Sequence, residues 1–249
     1  MSGLSMVGLT DRGMVRPENE DCIATRPEIG LAVLADGMGG HQAGEVASAM
    51  AVDVVTRHYE ALLASGQNGD DRVREAKSVD EAIRQANNAI FEVAQSRPDY
   101  TGMGSTIVVA IFYRDHMFVG HVGDSRLYRY RAGQLEQLTE DHSVIQELLN
   151  RGLMTAEEAR VTIGKNLVTR ALGVEADVRP DVAQEDLADG DLFLLCSDGL
   201  NDVMSDEEIA SYLAGADTDL TETAQNLIDL ANSRGGPDNI SVILTRSGV

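Results

Sequence analysis

Four aspartates in this chain share one local setting. Asp36 ends the apolar run LAVLAD, Asp124 ends FVGHVGD, Asp198 ends FLLCSD, and Asp238 stands just before NISVILT. Each lies at the mouth of a segment that reads as a buried strand. Carboxylates fixed at strand ends can converge from distant points in the chain, and gathered oxygen donors are how a hard cation is held. Converged without a counter-charge, they would repel and raise one another's pKa. Cations remove that penalty. Because the donors are oxygens with no matching cluster of histidine or cysteine, magnesium or manganese fits better than zinc. The acidic spacing of an EF-hand calcium loop is missing. An Asp-Gly pair by itself marks a turn, but Gly37 after Asp36 has a second use, since a residue without a side chain lets its carbonyl approach a metal.

Six segments read as the strands that would position these groups: 30–36, 105–113, 116–124, 126–133, 191–198 and 240–246, all short and apolar or β-branched between turn signals. The pairs meeting at Asp115 and at Asp124–Ser125 read as successive antiparallel hairpins. Continuous runs such as FLLC imply strands covered on both faces. Between them the spacing predicts a helix over 43–64, with Val46, Met50, Val54, His58 and Leu62 recurring every four residues. A second helix is expected over 80–96 with Ile83, Ile90, Val93 and Ala94 inward, and a third over 221–233 with Leu227, Ile228 and Ala231 inward. Residues 67–80 read as a loop. Thr155 with Glu158 and Ser205 with Glu208 are capping-box pairs that open two short helices. Antiparallel hairpins alternating with helices give an α+β class in which helices cover two packed sheets.

Composition narrows the setting. The 249 residues are 43% hydrophobic, enough for one large core, so a single domain over 1–249 is expected. Forty-one acidic against twenty basic residues give a net charge of −21, which disfavours nucleic acid or an anionic membrane as partner. Cys22 and Cys196 both sit in apolar stretches and suggest neither disulfide nor thiolate site. No run approaches the roughly 18 apolar residues of a membrane span, and the expectation is a cytoplasmic protein.

Eight stretches carry a resemblance to a known family: RPENED (16–21), ADGMGGHQAGE (35–45), GMGSTIVVA (102–110), VGDSRLY (122–128), LTEDHS (138–143), NLVTRALG (166–173), LCSDGL (195–200) and GGPDNISVIL (235–244). In order and over nearly the whole chain they resemble the metal-dependent type 2C protein serine/threonine phosphatases. The resemblance implies a four-layer αββα sandwich, with two antiparallel sheets flanked by helices. It implies that Asp36 bridges two ions, that Asp198 and Asp238 complete the first, and that the Gly37 carbonyl helps hold the second. Asp124 would serve a third, weaker site with Asp198 shared. Glu20, Asp21 and Asn239 would stand around these ligands, Glu20 and Asp21 holding metal-bound waters.

The implied activity is hydrolysis of phosphoserine or phosphothreonine esters by a water that two metals acidify toward a pKa of about 7, without a phosphoenzyme. Arg16 would pair with the phosphate oxygens, as a guanidinium does bidentately. His41 could protonate the leaving alkoxide, although the place directly after Asp-Gly, where some members carry histidine, is Met38 here, and loop packing is its competing role. Asp141 and His142 read as ordering a turn, and His58 and His121 as structural. Residues 139–170 match a flap beside the active site; Thr162 and Ile163 replace the His-Pro of many relatives. Phosphoproteins, including a cognate kinase, are the implied partners of a monomer. A pseudophosphatase binding module and a phosphatase of small phosphate esters are the alternatives.

Overall fold

The computed structural model describes residues 4–40, 43–65, 72–113, 115–155, 158, 167–216 and 219–248. Its strands are β1 (Ser5–Asp11), β2 (Asp21–Arg26), β3 (Leu31–Met38), β4 (Gly104–Ser105), β5 (Ile107–Phe112), β6 (His116–Val122), β7 (Arg126–Arg131), β8 (Gln134–Gln137), β9 (Asp181–Asp186), β10 (Leu192–Cys196) and β11 (Ile240–Arg246). The helices are α1 (Ala43–Ala64), α2 (Arg72–Ser96), α3 (Val144–Asn150), α4 (Asp198–Asn201), α5 (Asp206–Ala214) and α6 (Leu220–Ser233).

All strand pairs are antiparallel and fall into two sheets, one ordered β1-β11-β10-β7-β8 and the other β2-β3-β5-β6-β9 with β4 beside β3. The period-two alternation of the strands sorts their side chains into layers. On β3, Leu31, Val33 and Ala35 face α1 and α2, while Ala32 and Leu34 face the other sheet. On β10, Leu192, Leu194 and Cys196 pack with α5 and α6, while Phe193 and Leu195 face inward. Phe112 and Phe193 meet edge to face between the sheets, centroids 5.3 Å apart. Burying each such ring contributes about 1.5–3 kcal/mol. The result is the expected αββα sandwich.

Several local expectations change. α1 buries Ala47, Ala51, Val52, Val55 and Tyr59, and leaves Val46, Met50, Val54 and Leu62 only partly covered. Small residues at the contact let the helix lie close on the sheet, and the larger ones flank it. α2 starts at Arg72, so most of the segment read as a loop is helical. The gain comes from tertiary partners: Glu75 bonds His116 at 3.0 Å, and Ser78 bonds His58 at 2.9 Å. β5 and β6 do form a hairpin, but β6 and β7 do not pair; the chain passes from one sheet to the other across Gly123–Ser125. The Ser205 capping box is present on α5. Thr155 and Glu158 exchange capping bonds, Glu158 N–H donating to Thr155 Oγ1 at 3.3 Å, with the rest of that turn outside the described residues.

Candidate metal centre

The four aspartates come to one end of the seam between the sheets. Asp21 and Asp36 are cross-strand partners on β2 and β3, whereas Asp198 opens α4 after β10 and Asp238 precedes β11 in the facing sheet. Three of the four chain crossings between sheets, β1 to β2, β6 to β7 and β8 to β9, pass this end and carry Arg16, Asp124 and His142.

Each carboxylate is set by backbone held from elsewhere. The Asp36 peptide is fixed on both sides: its N–H donates to Thr106 Oγ1 at 3.1 Å, and its carbonyl accepts from Thr106 N–H at 2.8 Å and from Ser105 Oγ at 2.9 Å. Gly37 is glycine for a packing reason, since a Cβ there would lie 2.1 Å from the Gly44 carbonyl oxygen. Gly44 is likewise confined, with a Cβ 2.7 Å from the Glu20 carboxylate. Strand end, helix start and Glu20 therefore close on one another, and the Gly37 N–H donates to the Glu20 carbonyl at 3.0 Å.

Asn239 joins the Arg16 loop to the site. Its Oδ1 accepts from Glu20 N–H at 2.8 Å, its Nδ2 donates to the Arg12 and Glu18 carbonyls at 2.8 and 2.9 Å, and its own N–H donates to Asp238 Oδ1 at 2.8 Å. Arg16 lies at the rim with one guanidinium N–H on Asp238 Oδ2 at 2.7 Å. That leaves most of its five donors for another anion. Buried Asp21 accepts from Ser197 and Ser241 at 2.8 and 2.6 Å through Oδ2.

The electrostatics are those of crowded acids. Burial pushes the Asp21 carboxyl up to about 6, with the two serine bonds opposing. Burial and the neighbouring Asp21, Asp198, Asp124 and Asp238 hold Asp36 well above the carboxylate range. Asp198 is raised in the same way by burial and then by Asp124, Asp238, Asp202 and Asp21. Asp124 is pushed up to about 6, chiefly by burial. Asp198 Oδ1 and Asp21 Oδ1 are buried and have no hydrogen-bond partner. An orphaned carboxylate oxygen among like charges fits a hard divalent cation, which offers both a bond and a counter-charge.

Among the described residues the tightest set of ligand-type side chains is a different one, His121, His142 and Asp181, with donor atoms within 4.8 Å of one another. His41 lies outside the described residues, as do Thr162 and Ile163. Sequence reasoning missed Gly44, Ser105, Thr106, Ser197 and Ser241; the hydroxyls directly beside the strand ends in GSTIVV, CSDG and NISV were their signal.

An αββα sandwich with an all-oxygen carboxylate cluster at one end of its seam defines a protein built around hard divalent cations. Residues 18–232 match the family model described as Protein phosphatase 2C, and the chain belongs to that family. It is 39% identical over 240 residues to the serine/threonine phosphatase stp of Listeria monocytogenes, covering 94% of this chain and 92% of that protein. It is 39% identical over 235 residues to the serine/threonine protein phosphatase PstP of Mycobacterium tuberculosis. That match takes in 94% of this chain, which spans only 43% of PstP. The crystal structure of the PstP catalytic domain in complex with two manganese ions superposes with a TM-score of 0.87 at 37% identity, covering 99% of both chains.

Proposed function

We propose that the chain is a single catalytic domain, residues 1–249 with a flap at about 139–170, that hydrolyses phosphoserine and phosphothreonine monoesters of proteins with two manganese or magnesium ions and room for a third. The observation that carries this is the buried, unpartnered Oδ1 of Asp198 beside the raised carboxyls of Asp36 and Asp124. The two manganese ions of the PstP catalytic domain support it. Asp36, Asp198, Asp238 and the Gly37 carbonyl would hold the two ions, and Asp124 would serve the third. When bound, the cations supply Lewis acidity that acidifies water and neutralises phosphoryl oxygens.

The chain's own groups do the rest. Arg16, anchored at 2.7 Å to Asp238, offers its remaining N–H groups to the phosphate. Asn239 keeps the Arg16 loop and Asp238 in register. Glu20 and Asp21 would accept hydrogen bonds from cation-bound waters. His41 is the candidate acid for the leaving oxygen. The partners are phosphoproteins, a kinase among them, met by a monomer in the cytoplasm. No helix among the described residues is long and apolar enough to cross a membrane, which by itself does not fix the compartment.

The test is phosphate release from a phosphothreonine peptide with manganese and then with excess chelator. Release that requires metal and disappears in Asp198→Ala is expected. No release from folded, manganese-bound protein overturns the reading in favour of a binding module or a different phosphate ester.

A further inference from the structure

The compact set formed by His121, His142 and Asp181 invites a second metal site, but its hydrogen bonds argue otherwise. His142 Nδ1 accepts from the Gly123 N–H at 3.0 Å, so the neutral ring carries its proton on Nε2, 3.2 Å from Asp181 Oδ2. Arg170 NH1 stands 3.0 Å from that Nε2, 3.0 Å from Asp181 Oδ1 and 2.9 Å from the Arg179 carbonyl. A guanidinium already occupies the place of a cation. His121 stacks on His142, centroids 4.6 Å apart, with its Nε2 engaged by the Glu140 carbonyl at 2.8 Å.

What the set does hold is Gly123. His142 grips that residue from both sides, its ring accepting from the Gly123 N–H and its backbone N–H donating to the Gly123 carbonyl at 2.9 Å. Gly123 sits at φ +109°, and a Cβ there would lie 2.6 Å from the Thr106 side chain. The gripped residue thus presses on Thr106, which fixes the Asp36 peptide, and leads directly into Asp124. The His142 carbonyl also accepts from Thr169 N–H at 2.8 Å, which closes the base of the flap segment.

We infer that His142 is a positioning residue for the proposed reaction: it fixes the Gly123 peptide and so aims the Asp124 carboxylate, while Asp181, itself held by Arg170, accepts from the imidazole and fixes the tautomer that makes the grip. The inference rests on the reading of Asp124 as a cation ligand. His142 itself touches neither substrate nor cation. The alternative is a histidine that only packs the base of the flap.

Manganese titration of the full chain by calorimetry separates the two, alongside melting in chelator and phosphopeptide rates against manganese concentration. Asp124→Asn first marks the binding event that depends on Asp124. His142→Leu should weaken that event, and raise the manganese needed for half-maximal rate, by about tenfold or more, the usual effect of losing a group that orients a ligand. His142→Asn, whose Oδ1 can replace Nδ1 as acceptor, should recover most of the loss. Asp181→Ala, which removes a half-exposed carboxylate, should weaken the same event, by less than the tenfold expected of His142→Leu.

Wild-type manganese binding in His142→Leu with only a lower melting temperature overturns the inference, as does His142→Asn behaving like His142→Leu. Should His142→Leu not fold, Asp181→Ala decides: wild-type manganese binding there overturns the inference. A wild-type chain that takes up no manganese overturns the metal reading together with this one, an outcome distinct from a binding wild type with unaffected variants.

Discussion

Replacing Asp124 with asparagine should stabilise the chain once divalent cations are chelated. The Asp124 side chain is buried, and burial first, then the charge of Asp141, push its pKa from 3.8 up to about 6, against the pull of its own N–H and of Arg126. The folded state therefore holds this proton more tightly than the unfolded chain. The carboxyl costs nothing below pH 3.8, and the cost grows as pH rises through about 6. A rise of about two pH units, at about 1.4 kcal/mol each, puts the full cost near 3 kcal/mol. Asparagine keeps the shape and drops the charge but loses the carboxylate's hydrogen bond and its attraction to Arg126. A net gain of about 1–2 kcal/mol remains, or roughly 3–6 °C in Tm for a chain of this size.

The assay is thermal unfolding in chelator at pH 7.5 and pH 4, repeated at pH 7.5 with saturating manganese. The variant should melt higher at pH 7.5, lose that advantage at pH 4, and fall behind wild type with manganese present, because a ligand bound only by the native state at about 100 times its Kd adds roughly 2.7 kcal/mol. A variant melting at or below wild type in chelator at pH 7.5 would refute the reasoning that the cluster is strained by its own charge.

His116 is buried between Glu75 Oε2 at 3.0 Å and Asp115 Oδ1 at 2.6 Å; burial lowers its pKa, but the two carboxylates outweigh it and the net move is above 6.5. Its stabilisation is complete below pH 6.5 and is lost as pH rises through the raised value, so the denaturant midpoint should fall from pH 6 to 9 more steeply in wild type than in Glu75→Gln. Gly37→Ala drives a Cβ to 2.1 Å from the Gly44 carbonyl oxygen, backbone against backbone, and should cost about 3 kcal/mol or more by urea unfolding; a cost under about 1 kcal/mol would mean the helix start yields. Arg16→Lys should lower kcat/KM on a phosphopeptide by about tenfold, since an ammonium cannot bond Asp238 and phosphate in the same planar fork. Unchanged efficiency would remove Arg16 from phosphate binding.

The strands read correctly from sequence were interior ones, and those missed share a position. β1, β2, β8 and β9 are the four sheet edges. An edge strand is half-solvated and carries polar residues such as those of DVAQED and QLEQ, so the apolar run that announces β5 or β10 never forms. The β6–β7 hairpin failed for a related reason: two adjacent apolar runs with a turn between them look alike whether they pair or cross to another layer, and only the packing of Gly123 on Thr106 decides. Asp36, Asp124, Asp198 and Asp238 stood out because a carboxylate marks one end of an apolar run, after it for the first three and before it for Asp238. The hold of His142 on Gly123 did not, since it depends on the approach of a segment nineteen residues away, which no local spacing encodes.

Three chain crossings at one end of the seam mean that the carboxylates meet at an effective concentration fixed by covalent straps. The ordering entropy of gathering them is lost during folding, and a cation arriving from solution has its own hydration shell to exchange and the protons of the raised carboxyls to displace. The observed rate of uptake should then rise linearly with free cation, with no plateau from a loop-closing step. Occupancy of such a site would then follow the divalent-cation level and the pH of its surroundings as fast as diffusion, dehydration and deprotonation permit.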